Sequence, residues 1–267
     1  MAPALLHPLV ASRDPEPAAG AVIYSNGFEN DLTDWDAFGG IFNATRVASG
    51  THGIVSAAGG FHAENSPCGA ASRWGGYNFG AGNAVPTVFQ DYTTSVAIYL
   101  DVTGGWTNNT RFDFDSAINN AAGTFQRDFI FNAGFFDDAD GSPGSGTARF
   151  VISASHTGQP GCTCAKNPAN APIAIATAGW FTFEHHFHSR AGLLAVDMSI
   201  FDAARTLVKT WKLRTTDLIS ATGGNCYGWF NYNQFPVLAF DNAELRINNP
   251  AGCPAVARRH QFSLVVQ

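Results

Sequence analysis

The chain has 267 residues, a formal net charge of −6, and 45% hydrophobic against 13% charged residues, a balance that excludes a disordered polymer and supplies a sizeable core. An acidic chain whose one basic cluster is Arg258–Arg259 has no electrostatic means of holding a phosphate backbone, so nucleic acid is excluded as a partner. The 22 Phe, 28 Gly and 13 Pro predict short aromatic strands between tight turns rather than long helices, in one domain, since β-sandwiches often exceed 200 residues.

In chain order, residues 1–20 read as a Pro/Ala-rich tail. Their short apolar run lacks the basic start and small-residue cleavage site of a secretory signal, and fits a remnant of a signal or pro-segment. Residues 21–248 read as the β domain and residues 249–267 as a C-terminal tail after an Asn-Asn-Pro stop. Period-two alternation between turn residues predicts strands at Ala21–Ser25, Phe42–Ala48, Gly53–Ala57, Thr94–Val102, Arg111–Ile118, Arg127–Phe135 and Ala148–Ser155. Further strands are predicted at Trp180–His188, Leu193–Phe201, Thr206–Leu213, Gly228–Tyr232, Val237–Phe240 and Ala243–Ile247. No stretch reaches the roughly 18 apolar residues of a membrane span. The five cysteines, Cys68, Cys162, Cys164, Cys226 and Cys253, are compatible with one or two disulfides in an oxidising compartment; Cys162-Thr-Cys164 lacks the second pair that a metal site needs.

The alternation assigns faces. Val96, Ile98, Leu100 and Val102 share one side of their strand, Phe112 and Phe114 oppose Arg111, Asp113 and Asp115, and Phe129, Phe131, Ala133 and Phe135 oppose Asp128, Ile130 and Asn132. Likewise Phe181, Phe183, His185 and Phe187 oppose Trp180, Thr182, Glu184, His186 and His188. Strands that are half greasy and half polar fit two stacked antiparallel sheets, so the expected fold is an all-β sandwich of the jelly-roll kind.

The opening Gly27-Phe28-Glu29-Asn30 with Trp35, and the closing Leu238-Ala239-Phe240-Asp241-Asn242-Ala243-Glu244-Leu245, resemble jelly-roll carbohydrate-binding modules and the concanavalin A-like lectin/glucanase superfamily. The resemblance brackets residues 27–245. It implies a structural Ca²⁺ held by Glu29 and Asp241, where a cation with six to eight oxygen ligands would relieve the repulsion of two carboxylates brought from the chain ends. The interior stretches RWGGY (73–77), YTTSVAIYLD (92–101), RDFIFNAG (127–134), WFTFEHHF (180–187), LLAVDMSIFD (193–202) and GGNCYGWF (223–230) are similar to secreted bacterial β-sandwich proteins without assigned activity. This implies an extracellular setting and no particular reaction.

Several side-chain groups carry chemistry. Glu184, His186 and His188 at i, i+2 and i+4 of one strand project to one side and suit acid/base work, a polar binding surface or, less well from a straight strand, a metal. Asp113 and Asp115 supply two carboxylates on one face, as glycoside hydrolysis requires, with Glu184 and Asp197 as further acids if the strands are neighbours. For lyase chemistry at a uronate, Arg149 or Arg111 would neutralise the carboxyl group, with His186 as base and Tyr99 as acid. Trp74, Tyr77, Trp106, Trp180, Tyr227 and Trp229 are platforms for the apolar face of a sugar ring. The leading expectation is polysaccharide binding on a polar sheet face by Trp74, Tyr77, Tyr99, Asn132, Arg149, His188 and Asp197, without an organic cofactor. The alternative is a glycan-cleaving enzyme using Glu184, His186, Asp113 and Asp115 on that same face; a structural cell-surface or matrix domain comes third.

Overall fold

The computed structural model describes residues 20–36, 44–67, 73–75, 88–136, 149–158 and 171–248. Within them the chain makes fifteen strands: β1 (Ala21–Asn26), β2 (Trp35–Asp36), β3 (Ala44–Ala48), β4 (Phe61–Asn65), β5 (Arg73–Gly75), β6 (Tyr92–Leu100), β7 (Arg111–Asn120), β8 (Phe125–Phe136), β9 (Arg149–His156), β10 (Ile173–Ile175), β11 (Gly179–Arg190), β12 (Leu193–Phe201), β13 (Leu207–Leu218), β14 (Thr222–Asn233) and β15 (Leu238–Ile247). They form two antiparallel sheets. The larger runs β13-β12-β11-β6-β15-β4-β3 with β1 added on β15, and the smaller runs β10-β9-β8-β7-β14-β5-β2. The chain is therefore an all-β, two-sheet antiparallel sandwich.

The predicted faces explain why the sheets stack. Phe181, Phe183 and Phe187 of β11 and Val96 and Ile98 of β6 meet Phe112 and Phe114 of β7 and Phe129 and Phe131 of β8 in one continuous core. Aromatic contacts cross the layers edge-on, as Phe131 against Phe183 with centroids 5.1 Å apart and Phe129 against Phe187 at 5.3 Å, a geometry that the ring quadrupoles favour. His185 joins this core fully buried, with Nε2 3.1 Å from the Phe129 carbonyl oxygen of the opposite sheet. Burial disfavours its charged form and pulls its pKa down to about 3.

Some expectations are corrected. Gly53–Ala57 is not a strand: positive φ at Gly50, His52 and Gly53 coils residues 51–53 into a 3-10 turn, which leads into the loop that joins β3 to β4. Val237–Phe240 and Ala243–Ile247 merge into β15, whose register shifts between Asp241 and Glu244, where Asn242 has φ 49°. The short strands β2, β4, β5 and β10 were too brief or too polar to show alternation. Cys226 is a free, buried thiol, and burial pushes its pKa up to about 11; the other four cysteines and both predicted tails lie outside the described residues, apart from Gly20 at the boundary.

Candidate functional site

The outer face of the larger sheet is a polar grid set by strand register. One row reads Ser199 (β12), Glu184 (β11), Ser95 (β6) and Glu244 (β15), and the next Asp197, His186, Thr93 and Arg246. Because directly paired residues point to the same side, the small residues of β6 form a floor and the longer side chains of β11 and β15 rise beside it. The result is a cleft of about 700 Å³, floored by Thr93, Ser95 and Ala97 and flanked by Trp180, Glu184 and Arg246.

Each wall residue is held in place. Trp180 Nε1 donates a hydrogen bond to the Val55 carbonyl at 2.7 Å, and its ring meets Tyr99 edge-on with centroids 5.6 Å apart, so a half-buried indole is fixed at one end of the cleft. Glu184 has a carboxylate oxygen 3.8 Å from Arg205 Nη2, and burial raises its pKa against the opposing pull of Arg205. Arg246 donates from Nε and Nη2 to Glu244 Oε1 at 3.0 and 2.8 Å. Beyond the cleft, His186 Nε2 lies 2.8 Å from Asp91 Oδ1, and this hydrogen bond raises the His186 pKa against partial burial. His188 Nε2 lies 3.6 Å from Asp197 Oδ2, while Arg214 donates to Asp197 Oδ1 at 2.9 Å.

Asp113, Asp115, Asn132 and Arg149 do not share this face. They lie on β7, β8 and β9 of the smaller sheet, opposite its core-facing Phe residues, so the core separates them from Glu184, His186, Tyr99 and Asp197. This corrects the single-face expectation and separates the lyase set, since Arg111 and Arg149 cannot serve a substrate held by His186 and Tyr99 across two stacked sheets about 10 Å apart. The smaller sheet's outer carboxylates are themselves buried. Asp113 accepts from Asn132 Nδ2 at 2.8 Å and Asp115 from Trp229 Nε1 at 2.5 Å, while Asp128 Oδ1 has no hydrogen-bond partner among the described residues. Burial pushes Asp113 up to about 6, Asp128 up to about 7, and Asp115 well above the carboxylate range, the last with repulsion from Asp128 and Asp113 added. Tyr77 lies outside the described residues, and Trp74 is described by its backbone pairing with Trp35 and Gly228.

Glu29 and Asp241 do meet. Both take backbone N–H donors from the 57–61 loop: Gly60 N donates to Glu29 at 3.0 Å and Ala58 N to Asp241 at 3.2 Å. Glu29 packs so closely on Gly59 that a Cβ there would lie 2.2 Å from Oε1, which with φ +63° explains the glycine. Burial raises the Asp241 pKa to about 6, and repulsion from Glu29 adds to it. Backbone N–H donors from Ala57, Ala58 and Asn242 oppose that rise, and a divalent cation held by the two carboxylates would relieve the remaining repulsion. Among the described residues no third acidic, His or Cys side chain joins them, so backbone oxygens or water would complete the shell. Sequence reasoning missed Glu244 and Arg246, which follow the bulge in β15 and enter the cleft only through pairing with β6.

No family model matches the chain. A search of curated proteins likewise finds no significant match. Among solved structures it is similar to the CBM2 module of the Lactobacillus casei BL23 phage J-1 evolved Dit, with 7% identity and a TM-score of 0.41, over 86% of this chain and 96% of that one. It is also similar to an endo-1,3-beta-glucanase from Streptomyces sioyaensis, with 9% identity and a TM-score of 0.39, over 88% and 99%. An alginate lyase from Klebsiella pneumoniae follows with 10% identity and a TM-score of 0.34, over 76% and 80%. No helix among the described residues is long and apolar enough to cross a membrane.

Proposed function

We propose that the protein is an extracellular carbohydrate-binding β-sandwich that lays a polysaccharide along the outer face of its larger sheet. The observation that carries this reading is the cleft with a Thr93–Ser95–Ala97 floor, charged hydrogen-bonding walls and the fixed Trp180 indole at its end. A sugar ring offers an apolar face for an aromatic ring and hydroxyls that donate to carboxylates and accept from guanidinium groups, and the cleft presents all three. Retention on a panel of immobilised polysaccharides tests the proposal. Trp180→Ala should weaken binding of the retained glycan at least tenfold at an unchanged fold, and equal retention of both forms would remove the cleft from the account. A Ca²⁺ between Glu29 and Asp241 belongs to the same proposal as a clamp on the 57–61 loop, not as a participant in binding.

One observation favours a second reading, glycan cleavage. Glu184 and Glu244 flank Ser95 from the two neighbouring strands. Two strand spacings set their Cα atoms roughly 9.5 Å apart. Side chains rising from backbones at that spacing can hold their carboxyl groups within the about 6.5–9.5 Å that leaves room for water in inverting glycosidases. The raised Glu184 would serve as the acid and the Arg246-held Glu244 as the base. Asp113 and Asp115 are 3% and 0% exposed on the other face, so the cleavage reading uses the Glu184–Glu244 pair in their place. Under it, Glu184→Gln abolishes reducing-end formation from the retained glycan while retention persists; unchanged product release in Glu184→Gln would eliminate this reading.

A further inference from the structure

The loop beside the cleft carries a constellation that no sequence motif announces. Ser56 Oγ lies 3.0 Å from His62 Nδ1, and His62 Nε2 lies 3.2 Å from Glu64 Oε1. Glu64 Oε2 is in turn 2.9 Å from His52 Nδ1. His62 and Glu64 stand at i and i+2 of β4 and so point to one side, while Ser56 comes from the preceding loop, where its backbone N–H donates to Ser49 Oγ at 3.0 Å. Ser56, His62 and Glu64 are 9%, 0% and 7% exposed, a dry setting in which these hydrogen bonds are fixed. A hydroxyl within reach of an imidazole that a carboxylate orients is the arrangement that activates a serine nucleophile.

We propose that Ser56, His62 and Glu64 form a serine esterase site whose substrates are acyl esters of carbohydrate hydroxyls. Ser56 attacks the ester carbonyl and its proton passes to His62 Nδ1. The tetrahedral intermediate then expels the sugar alcohol, which takes that proton. Water repeats the sequence on the acyl-serine, releasing the carboxylic acid and restoring Ser56. Glu64 is a positioning residue: it accepts from Nε2–H, so that Nδ1 is the basic nitrogen, and it faces the imidazolium formed in each half-reaction. The location fits both halves of such an ester. Ser56 sits in a segment whose Ala57 lines the polar cleft with Trp180, while its Ile54 lines a separate cavity of about 330 Å³ with Trp106, Phe112, Phe150 and Phe235. The alcohol belongs to the cleft and an apolar or aromatic acyl group to the cavity. The choice of a sugar alcohol rests on the proposed function; the activated serine does not.

The full chain treated with a fluorophosphonate probe tests the site, with the adduct located by peptide mass mapping and ester turnover followed with 4-nitrophenyl acetate and 4-nitrophenyl benzoate. The expected result is one adduct per chain on Ser56, lost in Ser56→Ala together with at least 100-fold of the turnover, with benzoate preferred to acetate. Glu64→Asp should retain more kcat than Glu64→Gln at similar KM. An unlabelled native chain, or label and turnover that survive Ser56→Ala, overturns the proposal. Polysaccharide retention by the native chain separates the two ideas: retained glycan with no ester turnover sinks the esterase alone, and ester turnover with no glycan retained sinks the sugar-binding reading alone.

Discussion

Asp128 shows how burial alone sets the behaviour of a residue. The residue is 8% exposed, Oδ1 lacks a hydrogen-bond partner among the described residues, and its pKa is pushed up to about 7, so the folded state prefers the protonated acid. Its contribution to stability is complete below the ordinary carboxylate pKa and is lost as pH rises through about 7. Asp128→Asn, which mimics the neutral acid, should raise thermal stability at pH 8 by about 1–2 kcal/mol and leave it unchanged at pH 4. Thermal melts at the two pH values check this, and an equal effect at both would show that ionisation is not the cause. His185 works in the opposite sense. Its pKa is lowered to about 3, so its contribution is present above the ordinary histidine pKa and is lost as pH falls from there towards 3. Alternation in the sequence placed Asp113, Asp115, Asp128 and Asn132 on the side opposite the Phe residues, and the structure keeps them there. It did not reveal their burial, because period two distinguishes one face from the other and says nothing about what covers the outer one.

At the scale of elements, β11 and β12 were the most legible. Leu193–Phe201 has the predicted bounds, and Gly179–Arg190 extends the predicted Trp180–His188 by one residue before and two after. β11 alternates residue by residue because one side meets the core and the other the polar grid, whereas in β12 Ala195 and Ser199 of the outer row are buried as well. The segment between β3 and β4 was the least legible: its Ile-Val-Ser run imitates a strand, yet left-handed residues at positions 50, 52 and 53 turn it into the loop that carries Ser56 and meets Glu29 and Asp241. Those two carboxylates were legible only through the resemblance at the chain ends, and the loop between them depends on long-range contacts that no local pattern encodes. If calcium clamps this loop, a chelator should lower the melting temperature of the native chain by several degrees and added Ca²⁺ should restore it, with no such response in Asp241→Asn. A chelator-insensitive melt would leave the backbone N–H donors as the sole hold on both carboxylates.

For the whole molecule, stacking two sheets on one aromatic core makes two outer faces that cannot cooperate at a single substrate. The sequence indicated the sandwich from its many half-polar strands, but the allocation of strands to sheets was not readable, since β6 lies between β11 and β15, strands far from it in the chain. The catalytic set expected from sequence therefore divides, with Glu184 and His186 on one side and Asp113 and Asp115 on the other. Only strand order brings Glu244 and Arg246 opposite Glu184 and His186. Titration of the isotopically labelled protein with an oligosaccharide of the retained polysaccharide, followed by backbone amide shifts, tests the glycan-binding claim most directly. Shifts concentrated at Thr93, Ser95, Trp180, Thr182, Glu184 and Arg246 are the predicted result; shifts confined to the smaller sheet around Asp115 and Trp229, or none at saturating oligosaccharide, would contradict it.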